Sequence, residues 1–172
     1  MGIEIPQNKF LILDGAMGTV LQQRGLSPQG RPELLNLTEP ELLNSVYKEY
    51  IAAGSQVIYA NTFGANGLKL AKTGHSVEEV VGAAIAVAKK AAAGTGTLVA
   101  LDVGPLGELL EPMGTLSFER AYDLFREMAE AGAKAGADLI VVETMTDLYE
   151  AKAALLVDAN TGRMVYGKNE HE

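Results

Sequence analysis

Residues 133–144 read AKAGADLIVVET: a helical stretch closes on Ala-Gly, four apolar residues follow at strand length, and a carboxylate and a hydroxyl end the run. Residues 51–61, IAAGSQVIYAN, repeat that order and end on Asn61. In both, the chain passes from helix to strand through a link too short for a wide excursion, which suits right-handed parallel βαβ units. Two further apolar runs, at 10–13 and 98–101, fit the same unit beside 56–60 and 139–142. The spacing exceeds the roughly 30 residues per unit of an eight-unit barrel of about 250 residues, so the extra length is expected in loops.

Helices are expected between these strands. Thr38-Glu39-Pro40-Glu41 and Ser76-Val77-Glu78-Glu79 read as capping boxes, and Ser117 opens a third helix running to Gly136. The alanine-rich AAIAVAKKAAAG at 83–94 has the wide apolar face of a helix laid on a sheet. A fourth helix is expected from about Thr146 or Asp147 to Leu156. Asn160-Thr161-Gly162 then reads as a turn between extended pieces at 155–158 and 163–166.

The chain has 172 residues, 48% of them apolar, and a mean hydropathy of +0.10, values expected of one soluble globular domain. No apolar stretch approaches the ~18 residues of a membrane span, and no basic-then-apolar leader opens the chain, so a cytoplasmic location and no membrane partner are expected. A net charge of -8 with only 14 Lys and Arg argues against nucleic acid as a partner. There is no cysteine, which removes disulfides, thiolate nucleophiles and cysteine-ligated metals from this chain.

Each expected strand ends on polar residues: Asp14, Asn61-Thr62, Asp102 and Glu143-Thr144. In parallel α/β folds these ends face the ligand crevice, so the four corners would share one mouth. Taken singly, any of them reads equally as a cap or a turn former. In DGAMGT, residues 14–19, Asp14 is either the cap of the next helix or the acid of a ligand loop in which Gly15 and Gly18 let main-chain N–H groups approach a ligand. The stretch lacks the Lys-Ser/Thr of a phosphate loop, which leaves an unrelated phosphate-binding α/β enzyme a weak alternative. Glu108, in DVGPLGE, is placed either toward the mouth or in a plain turn. His75 reads as a solvated loop residue and His171 as part of a polar tail. Asp and Glu alone could hold at most a hard cation, so no metal ligands are assigned.

Four stretches in order, FLILDGAMGTVLQQRG (10–25), PELLNLTEPELLNSVYKEYIAAGSQVIYANTFGAN (32–66), LDVGPLGELLEPMGTLSFERAYDLF (101–125) and GADLIVVETMTDLYEAKAA (136–154), resemble the homocysteine S-methyltransferase family. The likeness spans about residues 9–156 and is greatest to the homocysteine-binding module of the cobalamin-dependent methionine synthases. It implies a (β/α)8 TIM barrel and methyl transfer to the homocysteine thiolate, giving methionine. It also implies a zinc ion held by three cysteines, because a free thiol with a pKa of about 8.5 is mostly protonated at neutral pH. Methylcobalamin is the methyl donor that the resemblance favours. Position by position, it implies substrate-binding roles for Asp14, Gly15, Ala16, Thr19, Asn61, Thr62, Asp102, Gly104, Glu143 and Thr144. Glu143 would face the ammonium, and the first-loop N–H groups with Thr19 the carboxylate.

The zinc cysteines implied by the family lie in later strands. The expectation is therefore the first four βα units of the barrel, a half barrel of parallel strands with outer helices over residues 1–156, followed by a divergent tail at 157–172. No catalytic residue and no metal ligand is expected in this chain, and the isolated chain is expected to be inactive. Open sheet edges would favour self-association or a missing C-terminal half. The alternative is a non-catalytic half-barrel module that binds an amino acid or a partner chain.

Overall fold

The computed structural model describes residues 10–27 and 30–161, with side chains through residue 155. Three parallel strands form the sheet in the order β1 (Val57–Tyr59), β2 (Leu98–Val103), β3 (Leu139–Val142). Val57 stands opposite Leu98 and Ala100 opposite Leu139, so each strand is staggered forward on its neighbour. The central β2 is buried along nearly its whole length, whereas every residue of β3 is only half-buried. Apolar side chains on both faces suit a central parallel strand, and the partial exposure of β3 marks it as the edge.

Helices α3 (Pro40–Ala52), α5 (Val77–Ala92), α6 (Phe118–Ala135) and α7 (Leu148–Thr161) pack in that order against one another. Two expected caps form: Ser76 Oγ accepts from Glu79 N at 3.1 Å, and Ser117 Oγ accepts from Arg120 N at 3.2 Å. On α5, Val80, Val81, Ala84, Ile85 and Ala88 repeat at helical spacing and are all fully buried. They join Leu124, Phe125 and Met128 of α6 and Val99 and Leu101 of β2 in one core. Each large aliphatic side chain buried there contributes about 1.5–3 kcal/mol. Gly54 and Gly136 take φ of 108° and 87°, the left-handed conformation that stops each helix and turns the chain into the next strand.

Several local expectations are corrected. Residues 10–13 form no strand: Leu13 makes one isolated parallel bridge to Val57, and Phe10 is 98% exposed. The segment still lies along β1, since Gln56 and Val57 N–H both donate to the Ile12 carbonyl, but among the described residues its outer edge has no neighbour to bury it. Thr38 does not open a capping box. It ends a helical turn, α2 (Leu35–Thr38), and its hydroxyl donates back to the Leu34 carbonyl at 3.3 Å; α3 starts at Pro40, whose fixed φ suits the first helical position. Asp14 caps nothing: α1 (Met17–Gln23) begins after Ala16 with no side-chain cap. Residues 155–158, expected as extended, continue α7, while the expected piece at 163–166 lies outside the described residues. Besides α2, two elements escaped the sequence pattern, a 3-10 turn at Pro32–Leu34 and a short helix, α4 (Gly67–Leu70), capped by Asn66 Oδ1. No helix among the described residues is long and apolar enough to cross a membrane.

Candidate functional site

The C-terminal strand ends converge on one acidic mouth. Asp14 reaches it by continuing the sheet with its side chain. Its N–H donates to the Val57 carbonyl at 3.0 Å, and its Oδ2 accepts from Tyr59 N at 2.9 Å, as a neighbouring strand's carbonyl would. Burial raises the Asp14 pKa to about 6; the Tyr59 bond and its own amide oppose this, and the Glu143 charge adds to it.

Asp102, near the end of β2, is 8% exposed. Its main chain is stitched to Thr62: Thr62 Oγ1 donates to the Asp102 carbonyl at 2.8 Å and accepts from Asp102 N at 3.0 Å. Its carboxyl Oδ1 is buried without a hydrogen-bond partner. Burial first, then the charges of Glu143, Asp14 and Glu33, raise its pKa to about 8. Glu143 follows β3, held by its N–H on the Val103 carbonyl at 3.1 Å. The next residue, Thr144, has φ of 60°, a conformation costly for a β-branched residue, which sets the direction in which the chain leaves the strand.

The expected site residues divide by what their side chains already touch. Asp14, Asp102 and Glu143 share the mouth, each within electrostatic reach of another. Asn61 and Thr62 are buried and committed to the protein: Asn61 Nδ2 donates to the Pro32 carbonyl at 2.6 Å and to Asn36 Oδ1 at 3.3 Å, and Thr62 holds Asp102 as described. Gly15, Ala16, Thr19 and Thr144 are exposed on the rim. Neither Gly15 nor Gly18 has a positive φ, so the expected backbone freedom is not what they supply. A Cβ on Gly15 would meet the Tyr50 ring at 2.9 Å, and one on Gly18 would meet nothing. Gly104 is required by contact, because a Cβ there would fall 2.5 Å from the Phe63 ring. Glu108 is exposed, and His75 pairs with Glu79 through Nδ1 at 3.0 Å on the surface. His171 lies outside the described residues.

Four supporting residues were not singled out in the sequence. Glu33 brings a further carboxylate to the mouth, its Oε1 accepting from Gly64 N at 2.8 Å. Tyr47 and Tyr59 line the site with phenols raised by burial and by the carboxylates around them, Tyr59 to about 12. Tyr47 Oη also accepts from Asn61 N at 2.8 Å. The buried Glu150 on α7 accepts from Leu106 N at 2.7 Å, pinning the loop that follows β2. All four lie inside the quoted motifs, but nothing in their spacing links them to the strand ends.

The donor set does not suit a thiolate zinc centre. The chain has no cysteine, and no group of three or more His, Asp or Glu among the described residues could hold a metal ion.

Residues 11–167 match the model of a family described as homocysteine S-methyltransferase. The methionine synthase of Mycobacterium tuberculosis is 31% identical over 169 residues, which take in 90% of this chain and 14% of that protein. The methionine synthase of Mycobacterium leprae matches at the same identity and coverage. Among solved structures, the oxidized form of the homocysteine methyltransferase MmuM from Escherichia coli superposes with a TM-score of 0.80 at 29% identity, covering 92% of this chain and 61% of that one. Its metallated form gives 0.79 at 28% identity. The chain thus spans about one seventh of the curated relatives' length and about three fifths of the crystallised ones.

Proposed function

We propose a function for a chain that belongs to the homocysteine S-methyltransferase family: it forms the substrate-recognition part of an enzyme that transfers a methyl group to homocysteine, giving methionine. The observation that carries this reading is the convergence of Asp14, Asp102 and Glu143 on one mouth at the strand ends. An amino-acid zwitterion needs an anionic partner for its ammonium and a cluster of donors for its carboxylate. Glu143, with Asp14 beside it, serves the ammonium, and the main-chain N–H groups of residues 15–19 with Thr19 serve the carboxylate. Asn61, Thr62 and Gly104 keep the corners in place, and Thr144 turns the chain at the rim.

In this reading the three observed strands, with residues 10–13 beside β1, are the first four βα units of a TIM barrel. Residues 1–156 form that half and residues 157–172 a divergent tail. The zinc ligands are supplied outside this chain, by the remaining barrel or by a longer product. Methylcobalamin is the proposed donor by kinship with the methionine synthases, and the cytoplasm the proposed location. The half-buried β3 and the exposed Ile12 and Leu13 support either self-association or docking of the missing half. The absence of cysteine also favours a second reading, a non-catalytic module that binds an amino acid or a partner chain.

Calorimetry with homocysteine and methionine, with and without zinc, tests the proposal. Glu143→Gln is expected to weaken methionine binding about tenfold or more, the usual loss for one charge-assisted contact. Unchanged affinity would remove Glu143 from the site. Zinc-dependent thiol binding only in a protein that carries the remaining half supports the catalytic reading, and zinc-independent binding throughout supports the module.

A further inference from the structure

The cation nearest the mouth among the described residues, Lys69, is spent elsewhere: its Nζ donates to the Pro105 carbonyl at 2.8 Å and its charge acts on Glu33 and Glu150. The groups whose charge reaches Asp102 are Glu143 from the exit of β3, Asp14 from the segment before α1 and Glu33 from the 3-10 turn, all carboxylates. Tyr47 on α3 and Tyr59 on β1 also face it, and burial keeps both phenols neutral at ordinary pH. Asp102 cannot move away, because Thr62 Oγ1 clamps both its N–H and its carbonyl. One of its two carboxyl oxygens, Oδ1, is sealed from solvent without a partner. A buried anion without a donor or counter-charge is costly, and a carboxyl relieves that cost by keeping its proton.

We infer that Asp102 is the proton-exchange residue of this mouth, holding a proton while the mouth is free and releasing it to solvent when the α-ammonium group of an amino acid enters beside Asp14 and Glu143. The exchange balances without a co-reactant: a neutral carboxyl and a solution ammonium become a carboxylate–ammonium contact and one proton in the buffer. The inference rests on the amino-acid reading above and adds the chemistry that selects the ligand. A primary ammonium is required, so the α-hydroxy analogue of methionine should release no proton.

With a pKa of about 8, Asp102 is about nine-tenths protonated at pH 7. Methionine is the probe of choice because its thioether does not titrate. Calorimetry of the full chain at pH 7, in two buffers of different ionisation enthalpy, should find about 0.9 proton released per methionine bound. Affinity should rise about tenfold from pH 6.5 to pH 7.5, level off above about pH 8, and fall again once the ligand's own ammonium loses its proton. Asp102→Asn should bind with a nearly flat profile and little release. In the wild-type chain, carboxyl carbon NMR should show one aspartate titrating near pH 8 when free and below about pH 6 with saturating methionine, a readout independent of the variant's folding. Binding without proton release, or release undiminished in Asp102→Asn, overturns the inference and leaves the amino-acid reading standing. No binding at all overturns both.

Discussion

Asp138 and Asp102 stand at opposite ends of the same sheet. At the N-terminal end of β3, Asp138 Oδ2 accepts from Lys89 Nζ at 2.6 Å and from Val99 N at 2.8 Å, so that one carboxylate ties α5 to β2 and β3. At the C-terminal end of β2, Asp102 is held by its main chain alone, its Oδ1 has no partner, and three other carboxylates surround it. The sheet presents similar backbone at both ends, so architecture does not dictate the contrast. Asp138 is given donors and a cation, whereas Asp102 has no partner on Oδ1, and the fold bears the cost of its burial.

Substitutions at the two ends should therefore act in opposite senses. Asp102 has a folded pKa of about 8 against 3.8 unfolded, so between those values the folded chain holds a proton that the unfolded chain has lost. The contribution of Asp102 to wild-type stability should fall as pH rises from about 4 to about 8 and then level off. Asp102→Asn, which cannot ionise, should stabilise the chain little at pH 4 and by roughly 5 kcal/mol at pH 8.5, read from urea midpoints at each pH. Equal effects at both pH values would return Asp102 to the ordinary carboxylates. Asp138→Ala should destabilise by about 2 kcal/mol, because the Val99 N–H and the Lys89 ammonium both lose their acceptor. A neutral outcome would mean that water replaces both contacts and would weaken the contrast. Ser117→Ala, the loss of an exposed helix cap, should cost about 1 kcal/mol in thermal or urea unfolding and leave ligand binding unchanged, calibrating what an ordinary polar residue contributes.

The parallel βαβ order was legible because its signals are local. Helix ends at Gly54 and Gly136 pass straight into strands, and the polar residues at 61–62, 102 and 143–144 fall at or beside strand exits. Residues 10–13 were misread because periodicity reports apolar content and not whether a neighbour exists to bury it; among the described residues Phe10 finds none. Thr38 was misread because the capping signature is shared by a residue that ends one helical turn just before the next helix starts. At the strand exits the polar residues were legible and the partners of their side chains were not. Asn61, Thr62 and Asp102 look alike in sequence as polar residues at strand ends. Only the fold shows that the first two spend their side chains on the protein while the third keeps a buried Oδ1 without a partner. Glu33, Tyr47 and Glu150 reach the site from distant segments, which no single-sequence pattern links to it.

Amide NMR of the full chain titrated with methionine tests the central claim most directly, because it reads both ends of the sheet at once. The account predicts shifts concentrated at residues 14–19, 59–64, 102–104 and 143–144, with Val99, Asp138 and the last turn of α5 unmoved. Shifts centred on the Asp138 end, or spread evenly over the chain, would contradict it.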